Sequence, residues 1–215
     1  MDLSRLVQVC NKIRGDFDAK DAAREKALAL SREVIRNSAN AIRSVHRGEF
    51  DEARKLLAAT GRMVAQARKA LKPHPEIYSA GFAQDAQKEY AEARITLALV
   101  HREPVPDPDD LKVDYNAYLN GLAEAVGELR RHVLDEMRRA EPSWGEELLT
   151  AMDDIYYLLV SFDYPSAITG NLKRSTDVTR SIIEKTRGDL TNAQRQERLE
   201  RAMRRMEKHI GAERE

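Results

Sequence analysis

The sequence predicts an all-α protein that forms a single domain. Only 6% of its 215 residues are aromatic and 33% are charged, and the helix-favouring residues Ala, Leu, Glu, Arg and Lys dominate. The alternation of apolar and polar residues that is typical of strands is hard to find. The hydrophobic content of 42% suits one sizeable core better than two. We therefore expect one helical domain over residues 1–215.

The seven prolines mark the predicted helix boundaries, because proline breaks helix interiors and restricts the residue before it. They fall in four short segments: "KPHP", "REPVPDPDD", "AEPSW" and "DYPSA". The first long helix is predicted over about residues 17–47, with a shorter helix over 2–14 that is either separate from it or continuous with it. The other predicted helices cover residues 50–71, 76–101, 109–139, 143–162, 165–187 and 190–209. Counting the first two segments as one, the sequence predicts seven helices.

Targeting and redox signals are few. The longest apolar runs, "ITLALV" and "IYYLLV", are far shorter than the roughly 18 to 20 residues that span a bilayer. The N-terminus lacks the continuous apolar region of a secretory signal, so we expect a cytoplasmic protein. Cys10 is the single cysteine, and we expect it to be a small core residue.

One acidic pair lies inside a predicted helix, in the segment "AQKEYAEARITLA" at residues 86–98. Glu89 and Glu92 are three residues apart and project from the same side of the helix. Ala91 and Ala93 stand beside Glu92, and small residues permit a second helix to come close. The ordinary interpretation is a solvated face on which Lys88 pairs with Glu92.

A second acidic pair occurs in "YNAYLNGLAEAVGELRRHVLDEM". Glu124 and Glu128 lie one turn apart, and the small residues Gly121 and Ala125 flank them. If the two helices face each other, four carboxylates come together. Such a cluster needs neutralising by a divalent cation, and oxygen ligands favour Mg²⁺ or Mn²⁺.

The chemistry of such a site is phosphoryl transfer, because the cation activates water and shields charge on the phosphate. A helical di-iron site is disfavoured, since the Glu-x-x-His pairs it normally uses do not occur. The sequence has no glycine-rich phosphate loop, no G-x-S-x-G segment and no cysteine cluster. Nucleotide-binding and triad-hydrolase classes therefore have no support.

Basic residues form a stripe along the first long helix: Arg32, Arg36, Arg43 and Arg47 share one face. Arg131 follows Glu128 by three residues. Either these arginines are solvated and paired within their helices, or they follow a nucleic-acid backbone. The 36 basic and 36 acidic residues cancel, so a nucleic-acid surface requires the charges to be separated in space.

Five segments, in order and over nearly the whole chain, resemble the translin superfamily. They are "ALSREVIRNSANAIRSVHRGEF", "HPEIYSAGFAQDAQKEYAEARITLAL", "YLNGLAEAVGELRR", "MDDIYYLLVSFDYP" and "LKRSTDVTRSIIEKTRGDL". The most specific parts are "QKEYAEA" and "YLNGLAEAVGELRR". The resemblance implies a seven-helix fold and a hollow, roughly octameric shell whose inner wall binds short RNA.

The resemblance also implies the site residues. The nuclease subunit of this family uses a Glu-x-x-Glu pair and an Asp-x-x-x-Glu pair with Mg²⁺, and the matching positions here are Glu89, Glu92, Glu124 and Glu128. The chain departs from that pattern at position 124, where Glu replaces Asp. Translin-type subunits lack the full acidic set, so this chain is more similar to the nuclease type, as an archaeal-type homo-oligomer.

Two functions from different classes follow as expectations. The first is a Mg²⁺-dependent endoribonuclease that cleaves short RNA inside a homo-octameric shell. The second is a shell that binds single-stranded RNA or DNA without cleaving it. A purely structural helical oligomer is a third alternative. Among the basic residues, Arg32 and Arg131 match family positions, whereas Arg36, Arg43 and Arg47 depend mainly on the stripe.

Overall fold

The computed structural model describes residues 3–138 and 142–212, and every regular element in those ranges is a helix. Six of these helices are long: α1 (Ser4–His46), α2 (Phe50–Leu71), α4 (Phe82–Val100), α6 (Tyr115–Arg138), α7 (Pro142–Val160) and α9 (Leu172–Ala212). Three consist of four residues each: α3 (Pro75–Tyr78), α5 (Pro108–Leu111) and α8 (Ser166–Thr169). The all-α prediction is confirmed.

The two N-terminal segments are one continuous helix of 43 residues, α1, as the predicted count of seven assumes. The other helix breaks differ from the predicted ones in three places. The helices predicted over 76–101 and 109–139 each begin with a separate single turn. Positive φ angles interrupt the chain at Gly81 (φ 97°), the N-cap of α4, and at Lys112 (φ 57°), the C-cap of α5.

At the C-terminal end, the two helices predicted over 165–187 and 190–209 are a short turn and one long helix. Gly170, with φ 57°, follows α8. α9 then runs through Gly188, where the sequence predicts a break, because Leu190 is buried and Asp189 pairs with Arg130 at 2.8 Å. These tertiary contacts keep the backbone helical through Gly188, which is a weak helix former.

The chain forms two compact units. The first runs to Leu122 and includes Ala167–Gly170, and the second comprises Ala123–Ser166 and the chain from Asn171 onward. The boundary falls inside α6, which is one uninterrupted helix. The single domain over residues 1–215 stays a prediction.

In the first unit α1 packs against α2 and α4. The core contains the fully buried side chains of Val34, Leu57 and Ile95. α2 and α4 come close at Gly61, where an added Cβ would stand 2.6 Å from the Tyr90 hydroxyl. This contact explains a glycine in the middle of α2, since any larger residue would displace the Tyr90 ring.

In the second unit α7 packs against α9. Leu148, Met152 and Leu190 are buried, and Gly145 lets Leu190 lie close to α7, because a Cβ there would be 2.8 Å from the leucine side chain. Arg130 of α6 binds α9 through the Thr186 hydroxyl, at 3.0 Å, and the Asp189 carboxylate. These contacts fix the second half of α6 on α9.

One core prediction is wrong. Cys10 is exposed. So are all the residues from the N-cap Leu3 to Ala19 in the first part of α1.

No helix in the described ranges is long and apolar enough to cross a membrane.

Candidate metal site

The first acidic pair lies on α4, which is buried on most of its circumference. Twelve of its 19 residues are buried, so the helix lacks a broad solvent-facing side. Glu92 is only 8% exposed, and the Glu89 side chain is 29% exposed. The solvated-face interpretation therefore does not describe Glu92, since a carboxylate is rarely buried to this extent without a partner.

Gly121 brings α6 against the turn of α4 that carries both acids. A Cβ at Gly121 would stand 2.7 Å from the Lys88 carbonyl oxygen and 3.0 Å from both the Glu92 amide nitrogen and the Ala91 Cβ. Backbone atoms cannot move aside as a flexible side chain can. The prediction that small residues permit close packing beside the acids is confirmed at Gly121 and Ala91.

A buried polar network joins α4 to the start of α6. Gln87, 2% exposed, accepts a hydrogen bond from the Asp114 amide at 2.7 Å. Its side-chain amide donates to the Tyr78 hydroxyl at 2.9 Å, and Tyr78 donates to the Asp114 carboxylate. The three residues close a ring, which sets the register of α4 against α6 one turn before the acids.

The network has a charged outer member. Arg68 of α2 lies 3.5 Å from Asp114 Oδ1 and donates to the Lys112 carbonyl. Burial raises the pKa of Tyr78 to about 12, and its hydrogen bond to Asp114 acts in the same direction. Tyr78 is therefore a neutral hydrogen-bond donor throughout the physiological pH range.

Three of the four predicted acids come together. Glu89, Glu92 and Glu124 each have a carboxylate oxygen within 4.8 Å of the others. Glu124 lies three residues after Gly121 on the same helix, so the close packing at Gly121 fixes the position of the backbone one turn before the Glu124 side chain. Three carboxylate oxygens at this spacing fit a hard divalent cation such as Mg²⁺, Mn²⁺ or Ca²⁺ rather than a soft metal.

Glu128 is outside that cluster. Its Oε2 lies 3.9 Å from Nη1 of Arg131, whose side chain is 55% exposed. Lys88 lies 3.5 Å from Glu89, the first acid of the pair. A lysine and an arginine thus flank the acids.

The four arginines of the predicted stripe are all exposed: Arg32, Arg36 and Arg43 lie on α1, and Arg47 is its C-cap. Arg36 pairs with Glu33, Arg43 donates to Asn40, and Arg47 pairs with Glu49 at 2.7 Å. The interpretation as local pairing therefore describes three of the four. Such pairs on exposed helices are weak and leave the arginines able to exchange partners.

The fold has close counterparts among solved structures. The chain is 32% identical to AfC3PO with a TM-score of 0.80, over 86% of this chain and 96% of that one. The chain belongs to the translin superfamily. AfC3PO has been solved alone and as a complex with duplex RNA. No family model matches this superfamily member.

Two further proteins are similar to this chain. An uncharacterized protein of Methanocaldococcus jannaschii is 34% identical to this translin-superfamily chain over 173 residues, which are 80% of this chain and 76% of the relative. NeC3PO has the same fold, with a TM-score of 0.78 over 86% of this chain and 96% of its own, at 19% identity.

Sequence reasoning missed the residues that hold the acids in place: Tyr78, Gln87, Asp114 and Arg68. The only local signal was Gln87, a polar side chain among the apolar residues of a helix. Its partners are nine residues before it and 27 after it, and no pattern in one sequence connects positions at such separations.

Proposed function

We propose that this protein is a Mg²⁺- or Mn²⁺-dependent endoribonuclease that cleaves short RNA inside a homo-octameric helical shell. The observation that carries the proposal is the cluster of Glu89, Glu92 and Glu124 carboxylates within 4.8 Å. Membership of the translin superfamily adds that related AfC3PO binds duplex RNA.

In this proposal Glu89, Glu92 and Glu124 hold the cation. When bound, the cation lowers the pKa of water and neutralises charge on the phosphate. Glu128, outside the three-carboxylate cluster, is the acid that we assign to orienting the attacking water. The added methylene of Glu124, relative to the Asp of the family's nuclease pattern, changes the reach of that ligand but not its chemistry.

Arginines supply the contacts to RNA. Arg131 is exposed and within 3.9 Å of Glu128, so it can bind the phosphate next to the acids and stabilise developing negative charge. Arg32, Arg36, Arg43 and Arg47 would contact more distant phosphates along the strand. In a closed shell, basic residues would face the interior and acidic residues the exterior. Such a separation of charge allows RNA to bind inside although the net charge of the chain is zero.

The test is a cleavage assay on short RNA with Mg²⁺, Mn²⁺ or a chelator, comparing wild type with Glu89→Gln plus Glu92→Gln. The chain offers a matched control, Glu197→Gln plus Glu200→Gln, an exposed Glu-x-x-Glu pair on α9. We expect cleavage to depend on the cation, to fall at least about 100-fold in the first variant and to be unchanged in the control. Wild-type rates in the first variant would remove these acids from the site.

The second candidate is a translin-like oligomer that binds single-stranded RNA or DNA without cleaving it. The observation favouring it is the Lys88 and Glu89 ion pair at 3.5 Å, because a lysine can neutralise part of the acidic cluster without a metal. RNA binding that weakens with salt, together with no cleavage in any cation, would select this function.

A further inference from the structure

The N-terminal part of α1 carries an apolar stripe that nothing in the described residues covers. Every residue from Leu3 to Ala19 is exposed. Within this segment Cys10 and five apolar side chains recur at spacings of three and four residues, which is the pattern of a helix seam. The five are Leu3 (53% exposed), Leu6 (56%), Val7 (56%), Ile13 (46%) and Phe17 (63%), whereas Val9 lies about 100° away from Cys10 around the helix.

The packed part of α1 begins only after this stripe. Lys20 contacts Glu76 at 3.1 Å, and Ala27 is the first fully buried residue of the helix. The core of the first unit therefore forms without the preceding turns. An isolated helix of this length is marginal in water, so a projecting apolar helix is expected to be covered by another surface.

Two pairs of apolar residues in the stripe are symmetric about Cys10. Residues 3 and 17, and residues 7 and 13, are equally far from it along the chain. At 3.6 residues per turn, all five apolar residues lie within about 60° on either side of Cys10 around the helix axis. The two mirrored pairs fit a second copy of the segment in antiparallel orientation, because a two-fold contact pairs each residue with its mirror position. Leu6 then lies against Arg14, whose aliphatic stem can cover it.

The charges of the segment favour the same orientation. Arg5, Lys12 and Arg14 precede the acidic residues Asp16 and Asp18. A parallel pair would place Asp16 and Asp18 next to their own copies. An antiparallel pair instead brings Asp16 to the end that carries Arg5, which exchanges one repulsion for an attraction.

We propose that residues 3–17 of α1 form an antiparallel helix pair with the same segment of a second copy of this chain, with Cys10 next to the two-fold axis. Leu3 then faces Phe17 of the second copy, and Val7 faces Ile13. The surface is about 20 Å long at 1.5 Å per residue, so it is one contact of an assembly rather than a large interface. It does not depend on whether the protein cleaves RNA.

Cross-linking tests the proposal without metal or RNA. Because Cys10 is the single cysteine, a short bis-maleimide reports only contacts between two copies of it. We expect a cross-linked dimer from wild type. The control is Cys10→Ser with Gln8→Cys, which moves the thiol to the opposite side of α1, and we expect at least a tenfold lower yield. Equal yields from both proteins would overturn the proposal.

Orientation needs a second pair of variants in the Cys10→Ser background. A mixture of Leu3→Cys and Phe17→Cys proteins should cross-link between the two variants, whereas either protein alone should not. Efficient cross-linking of Leu3→Cys with itself would indicate a parallel pair and overturn the antiparallel arrangement.

The mass of the assembly supplies an independent test by light scattering. Leu6→Asp plus Ile13→Asp should lower the mass of the particle, because two charges enter the seam. The matched control, Gln8→Asp plus Gly15→Asp, adds two aspartates at the same seven-residue spacing on the other side, where a Cβ at Gly15 meets nothing within 4 Å. Circular dichroism verifies that both variants stay helical. A mass equal to wild type in both variants, or a loss of mass without any Cys10 cross-link in wild type, would contradict self-pairing.

Discussion

The backbone of α6 at Gly121 is so close to α4 that a Cβ there would stand 2.7 Å from the Lys88 carbonyl oxygen. Lys88 immediately precedes Glu89, so this contact lies at the base of the acidic pair. A glycine that appears in the sequence as a weak point in a helix is required there by packing.

We therefore expect Gly121→Ala to destabilise the protein by about 1–3 kcal/mol, because overpacking against backbone forces the two helices apart. Mn²⁺ affinity, measured by calorimetry, should fall in the same variant. Gly127→Ala is the control in the same helix, since its nearest neighbour is the tip of Ile182 at 3.9 Å. That variant should be neutral or stabilised by up to about 1 kcal/mol. Equal effects of the two substitutions would exclude the steric explanation.

We expect the buried side-chain amide of Gln87 to stabilise the fold next to the acids that follow it. Gln87→Leu leaves the buried Asp114 amide without its acceptor and removes the donor to the Tyr78 hydroxyl, which should cost about 1–3 kcal/mol. Urea unfolding measures the loss. Gln196→Leu is the matched control, because this exposed side chain makes one surface hydrogen bond to Glu200 at 3.3 Å. A Gln87→Leu protein as stable as the control would show that the ring of hydrogen bonds does not fix α4.

Alkaline pH should weaken the fold through Tyr78. Its folded pKa is about 12, whereas an unfolded tyrosine titrates near 10. Because the folded state holds the proton more tightly, the contribution is fully present below pH 10 and is lost as the pH rises from 10 through 12. Tyr78→Phe should therefore lose less stability than wild type between pH 9 and pH 11. Tyr157→Phe, at a ring that is 70% exposed, should follow wild type; identical curves for all three proteins would contradict this assignment.

Substitutions of the cation ligands and of Glu128 should have different effects on cation affinity and on cleavage. Glu124→Gln should weaken Mn²⁺ binding about tenfold or more, because a neutral amide replaces a charged ligand, whereas Glu124→Asp keeps the charge and should lose less. Glu128→Gln should reduce cleavage with a smaller change in Mn²⁺ affinity. The comparison needs both readouts on the same preparations. A larger affinity loss in Glu128→Gln than in Glu124→Gln would reverse the two roles.

RNA affinity should depend on the α1 arginines through charge. Arg36→Gln plus Arg43→Gln should weaken binding and lower the slope of log affinity against log salt by about 0.7 per lost contact on single strands. Arg180→Gln plus Arg198→Gln, on exposed positions of α9, removes the same charge elsewhere and should leave the slope unchanged. Equal slopes in both double variants would show that the stripe arginines form ordinary surface pairs and do not contact RNA.

The fold class and the nature of the acidic residues were predictable from local information. Helix propensity and proline positions give the helical class and most boundaries, because both depend on neighbours in the chain. The predicted helix boundaries that are wrong are those that depend on contacts between residues far apart in the chain. Gly188 stays helical because Leu190 and Asp189 on its C-terminal side are engaged, and Cys10 is exposed because the first turns of α1 extend past the core.

The sequence by itself determined that this chain is helical and that it carries paired glutamates on two of its helices, since residue type and spacing along a helix suffice for both. The resemblance of five segments indicated the translin superfamily. Only the tertiary structure decided that Glu92 is buried, that Gly121 lets α6 touch the turn before it, and that Gln87 closes a hydrogen-bonded ring with Asp114 and Tyr78. Those properties depend on which helix faces each side chain, and helical periodicity specifies a face without specifying its partner.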